Sequence, residues 1–271
     1  MGAQLQQGAG ARTTTVVTRD LTIRFGGHVA VNGVSCAFEQ GTLTAIVGPN
    51  GAGKTTYFNL ISGQLPPSAG SVSLLGRDVT GLSVPKRARL GIGRAFQLTN
   101  LYPNLSVLEN VRLATQSVAG IRFDFLSIAG RNSALIDQAM ACLKRVKLEQ
   151  RAHTPAATLS HGDQRKLEIA ILLALKPKVF MFDEPTCGMS VEEVPIILDL
   201  IDEIKAEQDK TILLVEHKMD VVKRLADRIV VLQDGALIAD GLPAEVVASA
   251  AVQRAYLGQR PAGKASVGVP T

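Results

Sequence analysis

Four short apolar runs of four or five residues recur along the chain, separated by segments in which apolar residues have helical spacing. Runs this short and this uniformly apolar are typical of strands that are buried on both faces. Their alternation with helical patterns predicts an α/β domain with a mainly parallel core sheet, in which phosphates bind at the carboxyl ends of the strands. The four predicted strands are Leu43–Val47, Val179–Phe182, Ile212–Val215 and Ile229–Leu232.

An N-terminal β subdomain is predicted ahead of this core. Thr14–Phe25 and Val29–Glu39 mix β-branched residues with polar alternation around a glycine pair, which predicts an antiparallel hairpin. Residues 1–13 and 259–271 are rich in small and polar residues, and we expect a disordered lead-in and a flexible tail. The lead-in lacks the apolar core of a signal peptide. We therefore expect one folded domain over residues 14–258.

An inserted helical subdomain is expected over residues 98–160, because no run typical of a buried strand occurs between Gln97 and Leu159. Leu105–Gln116 and Asn132–Val146 instead have helical spacing of apolar residues. Ile121–Gly130 combines aromatic and β-branched residues with glycine and serine, a pattern that is compatible with either a loop or a short helix.

Composition narrows the class of protein. Hydrophobic residues make up 46% of the 271 residues and charged residues 20%, which is ordinary for a globular domain. The longest apolar stretches, such as Ile169–Leu175, fall far short of the roughly 20 residues that cross a bilayer. The net charge of +5 is spread thinly and gives little support to nucleic-acid binding. The widely spaced Cys36, Cys142 and Cys187 predict neither a disulfide framework nor a zinc site, which fits a reducing cytoplasm.

A phosphate-binding loop follows the first predicted buried strand. The segment from Gly48 to Thr56 satisfies the pattern G-x-x-x-x-G-K-[ST] and precedes an apolar segment that ends at Gly63, which predicts a helix with a glycine stop. In such a loop backbone N–H groups surround the β-phosphate, Lys54 reaches the β- and γ-oxygens, and the Thr55 hydroxyl binds Mg²⁺. The candidate residues are Gly48, Pro49, Asn50, Gly51, Ala52, Gly53, Lys54, Thr55 and Thr56.

Two acidic residues end the second predicted strand, at Asp183 and Glu184. A carboxylate at Asp183 can hold Mg²⁺, and one at Glu184 can polarise an attacking water and accept its proton. Alone, this pair is more typical of a solvated strand end. Beside a phosphate loop it predicts nucleoside triphosphate hydrolysis.

Three further motifs give the chain a resemblance to the nucleotide-binding subunit of ABC transporters, over roughly Thr14 to Gly258. Leu159-Ser160-His161-Gly162 matches an L-S-x-G signature at a predicted helix start, Gln97 lies in a loop, and His217 follows the third predicted strand. The resemblance implies an ATPase that uses ATP and Mg²⁺. The implied residues are Glu184, His217 and Gln97 for catalysis, Thr55, Gln97 and Asp183 for Mg²⁺, Ser160 and Gly162 for the ATP of a second chain, and Phe25 for the adenine.

Some of these assignments have simpler alternatives. Phe25 is equally well interpreted as a core residue, and Ser160 as an ordinary helix N-cap. The sequence also departs from the family pattern L-S-G-G-Q at His161 and Asp163, and from its usual aspartate at Ser190. Ser160 and Gly162 are retained, so we expect activity to persist at a rate that these departures leave open.

Local phrases around Phe25, Gln97 and Met189 and the stretch Ala255–Gly258 look most like the importer ATPases for branched-chain amino acids. This likeness implies a peripheral protein on the cytoplasmic face of the membrane, in a head-to-tail homo- or heterodimer with a second ATPase chain. Two permease subunits and an extracytoplasmic solute-binding protein would complete the complex. The alternatives are a urea or amide importer ATPase, a single-cassette exporter ATPase of the lipopolysaccharide type and, more remotely, a soluble non-transport ABC ATPase.

Overall fold

A computed structural model describes residues 13–95, 101–119 and 128–257. The strands are β1 (Thr14–Phe25), β2 (His28–Glu39), β3 (Leu43–Val47), β4 (Ala69–Leu74), β5 (Arg77–Asp78), β6 (Ile92–Ala95), β7 (Val179–Asp183), β8 (Thr211–Val215), β9 (Arg228–Gln233) and β10 (Ala236–Gly241). The helices are α1 (Lys54–Ser62), α2 (Val84–Arg89), α3 (Val107–Val118), α4 (Ile128–Arg145), α5 (His161–Ala174), α6 (Val194–Ala206), α7 (Met219–Leu225), α8 (Pro243–Ala248) and α9 (Ala250–Leu257).

The first sheet is antiparallel and has the order β2-β1-β4-β5. Strands β1 and β2 form the predicted hairpin, in which Phe25 pairs with His28 at the turn and Val17 pairs with Ala37. The inward side chains Val16, Leu21 and Val34 are fully buried. They pack in one hydrophobic cluster with residues of α1, so the hairpin covers the helix that follows β3.

The core sheet has the order β10-β9-β3-β8-β7-β6 and is parallel except for the edge strand β10. All residues of β3, β7 and β8 are buried, as their uniform apolar runs predict. Val215 pairs with Ile46 of β3 and with Asp183 of β7, so these three strands end at the same edge of the sheet. Loops that follow them therefore converge there.

Helices cover both faces of the core sheet. Phe180 and Phe182 of β7 belong to one hydrophobic cluster with α3 to α6, whereas Val179 and Met181 belong to the cluster that contains α1. This alternation follows from the twofold repeat of side chains along a strand. The predicted fold class is thus confirmed.

Helices α3, α4 and α5 pack against one another, and α3 begins at Ser106, whose side chain accepts a hydrogen bond from the Glu109 N–H. Among residues 101–119 and 128–159 the strand-type pairing is limited to a single β-bridge between Ser106 and Pro155, and two short 3-10 helices, Glu149–Arg151 and Ala156–Thr158, follow α4. Ile128–Gly130, at the end of the segment for which a loop or a helix was open, forms the start of α4. The limits of the helical subdomain, the lead-in and the tail stay predictions. Within the described ranges no helix is long and apolar enough to span a bilayer.

Candidate active site

The loop between β3 and α1 depends on glycine at two positions. At Gly48 the φ angle is +151°, and an added Cβ would lie 2.1 Å from the carbonyl oxygen of Leu232. At Gly53 φ is +90°, and a Cβ would lie 2.4 Å from the carbonyl oxygen of Ala30. Any larger residue would collide with backbone, so the loop holds its curvature only with glycine at both positions.

Lys54 is almost fully buried in this loop, with 8% of its surface exposed. Its ammonium donates hydrogen bonds to the carbonyl oxygens of Gly48 at 2.7 Å and Pro49 at 2.9 Å. Burial lowers the pKa of Lys54, while the nearby carboxylates of Glu184 and Asp183 act in the opposite direction. The predicted lysine and both predicted carboxylates therefore lie within electrostatic reach of one another.

The N-terminus of α1 is suited to an anion. Gly53 at its N-cap has no side chain with which to cap the first turn, and this turn contains no acidic residue. Unpaired N–H groups and the positive end of the helix dipole make such a terminus attractive to phosphate. Thr55 and Thr56 lie in this first turn, and Thr55 is exposed. These residues fit the phosphates of a nucleotide.

The carboxyl edge of the sheet brings two more predicted residues together. Glu184 follows β7 and His217 lies just beyond β8, with 3.6 Å between the Glu184 Oε1 and the His217 Nδ1. Both side chains are partly exposed, at 40% and 51%. Glu184 has a φ angle of +49°, a left-handed conformation that is unusual for this residue type. A partly solvated carboxylate and an imidazole thus face the same space beside the phosphate loop.

Arg94 of β6 is a site residue that sequence patterns do not identify. It donates to Asp183 Oδ2 at 2.6 Å, and both side chains are nearly buried. It also donates to Asn59 at 2.6 Å and Ser62 at 3.1 Å on α1, and lies over the Phe58 ring. Arg94 therefore fixes Asp183 relative to the phosphate-loop helix. The sequence offers one signal for this residue, which is the position of an arginine in a short strand-like run just before Gln97.

Ser160 and Gly162 lie at the start of α5. The Ser160 hydroxyl accepts a hydrogen bond from the Asp163 N–H, which makes this serine the N-cap. A Cβ at Gly162 would lie 2.1 Å from a carboxylate oxygen of Glu193, and Glu193 also pairs with Lys166 at 3.4 Å. These contacts place the start of α5 beside Glu193, the residue at the N-cap of α6.

The two remaining predicted site residues are Phe25 and Gln97. Phe25 is 50% exposed at the end of β1, so its ring is available to a ligand and the alternative of a core residue is wrong. Gln97 lies outside the described residues. Its role in catalysis and Mg²⁺ binding stays a prediction.

Two family profiles and individual relatives match this chain. A family profile described as ABC transporter matches residues 31–187, and a second, described as branched-chain amino acid ATP-binding cassette transporter, matches residues 236–262. The high-affinity branched-chain amino acid transport ATP-binding protein BraF of Pseudomonas aeruginosa is 38% identical over 247 residues, covering 88% of this chain and 96% of the relative. The protein of the same description from Escherichia coli, LivG, is 37% identical over 244 residues, with the same two coverages.

Solved structures give the same result. A nucleotide-free ATP-binding cassette from an ABC transporter matches with a TM-score of 0.76 at 27% identity, covering 90% of this chain and 98% of that one. A dimeric ATP-binding cassette in a post-hydrolysis state with ADP and Pi matches with a TM-score of 0.72 at 28% identity, covering 84% and 98%. The resemblance carried by the motifs is confirmed: the chain belongs to the ABC transporter family, as an ATP-binding cassette.

Proposed function

We propose that this cassette hydrolyses ATP in a head-to-tail dimer and thereby drives the import of branched-chain amino acids. The observation that carries the proposal is the convergence of Lys54, Asp183, Glu184 and His217 at one edge of the core sheet. It is supported by the names of the relatives and by the second family profile at residues 236–262.

In the proposed reaction, the first-turn N–H groups of α1 and the Lys54 ammonium bind the β- and γ-phosphates. Glu184 accepts a proton from the attacking water, and His217, 3.6 Å away, orients Glu184 and the γ-phosphate. Thr55, Gln97 and Asp183 would hold Mg²⁺. When bound, this ion neutralises charge that develops on the phosphate oxygens.

Ser160 and Gly162 are proposed to serve the ATP that the partner chain binds. They lie at a capped helix start, which offers backbone N–H groups to an anion, and Gly162 faces the Glu193 carboxylate of its own chain. In the proposed dimer, this segment of one chain completes the ATP site of the other. The cassettes would bind two permease subunits at the cytoplasmic face of the membrane, and closure of the dimer would drive the conformational change of these permeases. An extracytoplasmic binding protein would deliver the solute.

Hydrolysis is tested with Glu184→Gln in the full-length chain. This variant should bind ATP and accumulate as a dimer, because the amide cannot accept the proton that water must lose. Phosphate release should fall by a factor of about 100 or more. Glu245→Gln, on the exposed surface of α8, is the matched control and should retain the wild-type rate. Rapid hydrolysis by Glu184→Gln would exclude Glu184 as the general base.

The solute is tested by uptake. Cells that lack this gene are supplied with the wild-type chain or Glu184→Gln and given labelled leucine or labelled urea. Leucine uptake that only the wild type restores supports the proposed import. Urea uptake restored alone identifies a urea importer, and restoration of neither favours an exporter.

A further inference from the structure

A buried carboxylate, Glu216, joins the two loops that carry Glu184 and His217. Glu216 follows β8, and only 1% of its surface is exposed. Its Oε1 accepts a hydrogen bond from the Thr186 hydroxyl at 2.8 Å. Its Oε2 accepts the backbone N–H groups of His217 at 2.9 Å and Lys218 at 3.2 Å. One side chain thus binds both loops.

The Thr186 end of this linkage is equally constrained. Thr186 is 1% exposed and lies two residues beyond Glu184. Its hydroxyl oxygen also accepts a hydrogen bond from the Lys218 ammonium at 3.4 Å. The backbone N–H of Glu184 itself donates to the Val215 carbonyl at 2.9 Å. The two loops are therefore tied on both sides of the pair formed by Glu184 and His217.

Burial of a carboxylate is costly unless donors surround it, so this arrangement needs a reason. Glu216 is unsuited to taking a proton from water, because its two oxygens already accept three hydrogen bonds and solvent does not reach it. The Glu216 Oε2 lies 3.9 Å from the His217 Nδ1, whereas the Oε1 of the partly exposed Glu184 lies 3.6 Å from the same nitrogen. Its contacts instead determine where the backbone of His217 lies.

We infer that Glu216, through Thr186, is a positioning residue that fixes His217 relative to Glu184 for ATP hydrolysis. The inference rests on the proposed function, which assigns the chemistry to Glu184 and His217. A displacement of about 1 Å in a catalytic group can cost roughly 100-fold in rate. Loss of the linkage should therefore lower kcat and leave nucleotide binding, which depends on the loop after β3, unchanged.

The test is steady-state ATP hydrolysis by the full-length chain in its membrane complex. Thr186→Val keeps the side-chain shape but removes the hydroxyl, and it should lower kcat about 10- to 100-fold with KM for ATP within about twofold of wild type. Thr186→Ser keeps the hydroxyl and should keep kcat close to that of the wild type. Glu216→Gln should also lower kcat, and the double variant with Thr186→Val should be no slower than the slower single variant, because both act on one linkage.

Thr211→Val is the matched control. Thr211 is also fully buried and donates to Thr15 at 2.8 Å, but it lies at the opposite end of β8. Its variant should lose thermal stability and keep kcat. If Thr186→Val keeps the wild-type kcat, or lowers it only as far as Thr211→Val does, the positioning role is refuted. If Glu184→Gln hydrolyses ATP normally, Glu184 is not the general base, and if the wild-type chain hydrolyses no ATP, the proposed function itself fails; both results are distinct from a failure of the positioning role.

Discussion

Replacement of Arg94 should destabilise this cassette far more than replacement of an arginine in an equally short but exposed ion pair. Arg94 and Asp183 are 2.6 Å apart with side chains only 7% and 6% exposed. Arg224 and Asp199 are also 2.6 Å apart, but 41% and 64% exposed. The pairs share residue types and distance and differ in burial. Each arginine also has further partners, Asn59 and Ser62 for Arg94 and Asp202 for Arg224, so the comparison is between a buried and an exposed network.

For Arg94→Met we expect a loss of about 3–5 kcal/mol in the free energy of unfolding, because a buried carboxylate is left without its partner. Arg224→Met should cost about 1 kcal/mol or less, since water solvates the remaining carboxylates. At roughly 2–4 °C per kcal/mol, the melting temperature should fall by about 10 °C for Arg94→Met and by a few degrees for the control.

The assay is guanidinium-induced unfolding of the nucleotide-free chain, followed by circular dichroism. A double variant that combines Arg94→Met with Asp183→Leu should recover part of the loss, because no charge then remains buried and unpaired. Equal costs for Arg94→Met and Arg224→Met would refute the reasoning. A double variant as unstable as the sum of its parts would refute it too.

Tyr57→Phe should lower the free energy of unfolding by about 1 kcal/mol at about pH 7, because the buried hydrogen bond of 2.8 Å between the hydroxyls of Tyr57 and Thr18 is lost. Burial raises the pKa of the Tyr57 hydroxyl well above its usual value near 10, so above about pH 10 the hydroxyl ionises in the unfolded chain before it ionises in the folded one. The wild type therefore loses stability there, whereas Tyr57→Phe does not. Guanidinium titrations should show the difference in unfolding free energy between the two proteins shrinking above that pH. Gly53→Ala should cost several kcal/mol more than Gly51→Ala in urea unfolding, because its Cβ meets the Ala30 carbonyl whereas that of Gly51 meets open space. Phe25→Ala should weaken ATP binding about tenfold in equilibrium dialysis with little change in melting temperature, because the ring is half exposed.

The uniform apolar runs predict the buried strands β3, β7, β8 and β9 to within a residue or two, because burial on both faces leaves a strong pattern. Strands β4 and β6 have no such pattern. The first contains alternating serines, and the second, Ile92–Ala95, includes a glycine and an arginine. Their place in the sheets comes from pairing with β1 and β7, which is a property of the tertiary structure.

The same distinction applies to the site. The phosphate loop can be predicted because its chemistry lies within one continuous segment. Arg94 and Glu216 depend on partners from distant parts of the chain, Asp183 and Thr186, and neither residue type is expected to be buried. Only the fold shows that each is enclosed by partners that satisfy its charge.

The left-handed backbone of Glu184 has a consequence for how this cassette can change over time. At a φ angle of +49°, any residue with a Cβ is disfavoured by about 1 kcal/mol, whereas glycine is not, and asparagine and aspartate tolerate the conformation best among the rest. Stability alone would therefore favour glycine or asparagine at this position. Selection for a more robust fold would thus tend to remove the proposed catalytic base, and a stabilised laboratory variant should be checked at this residue before its transport is judged.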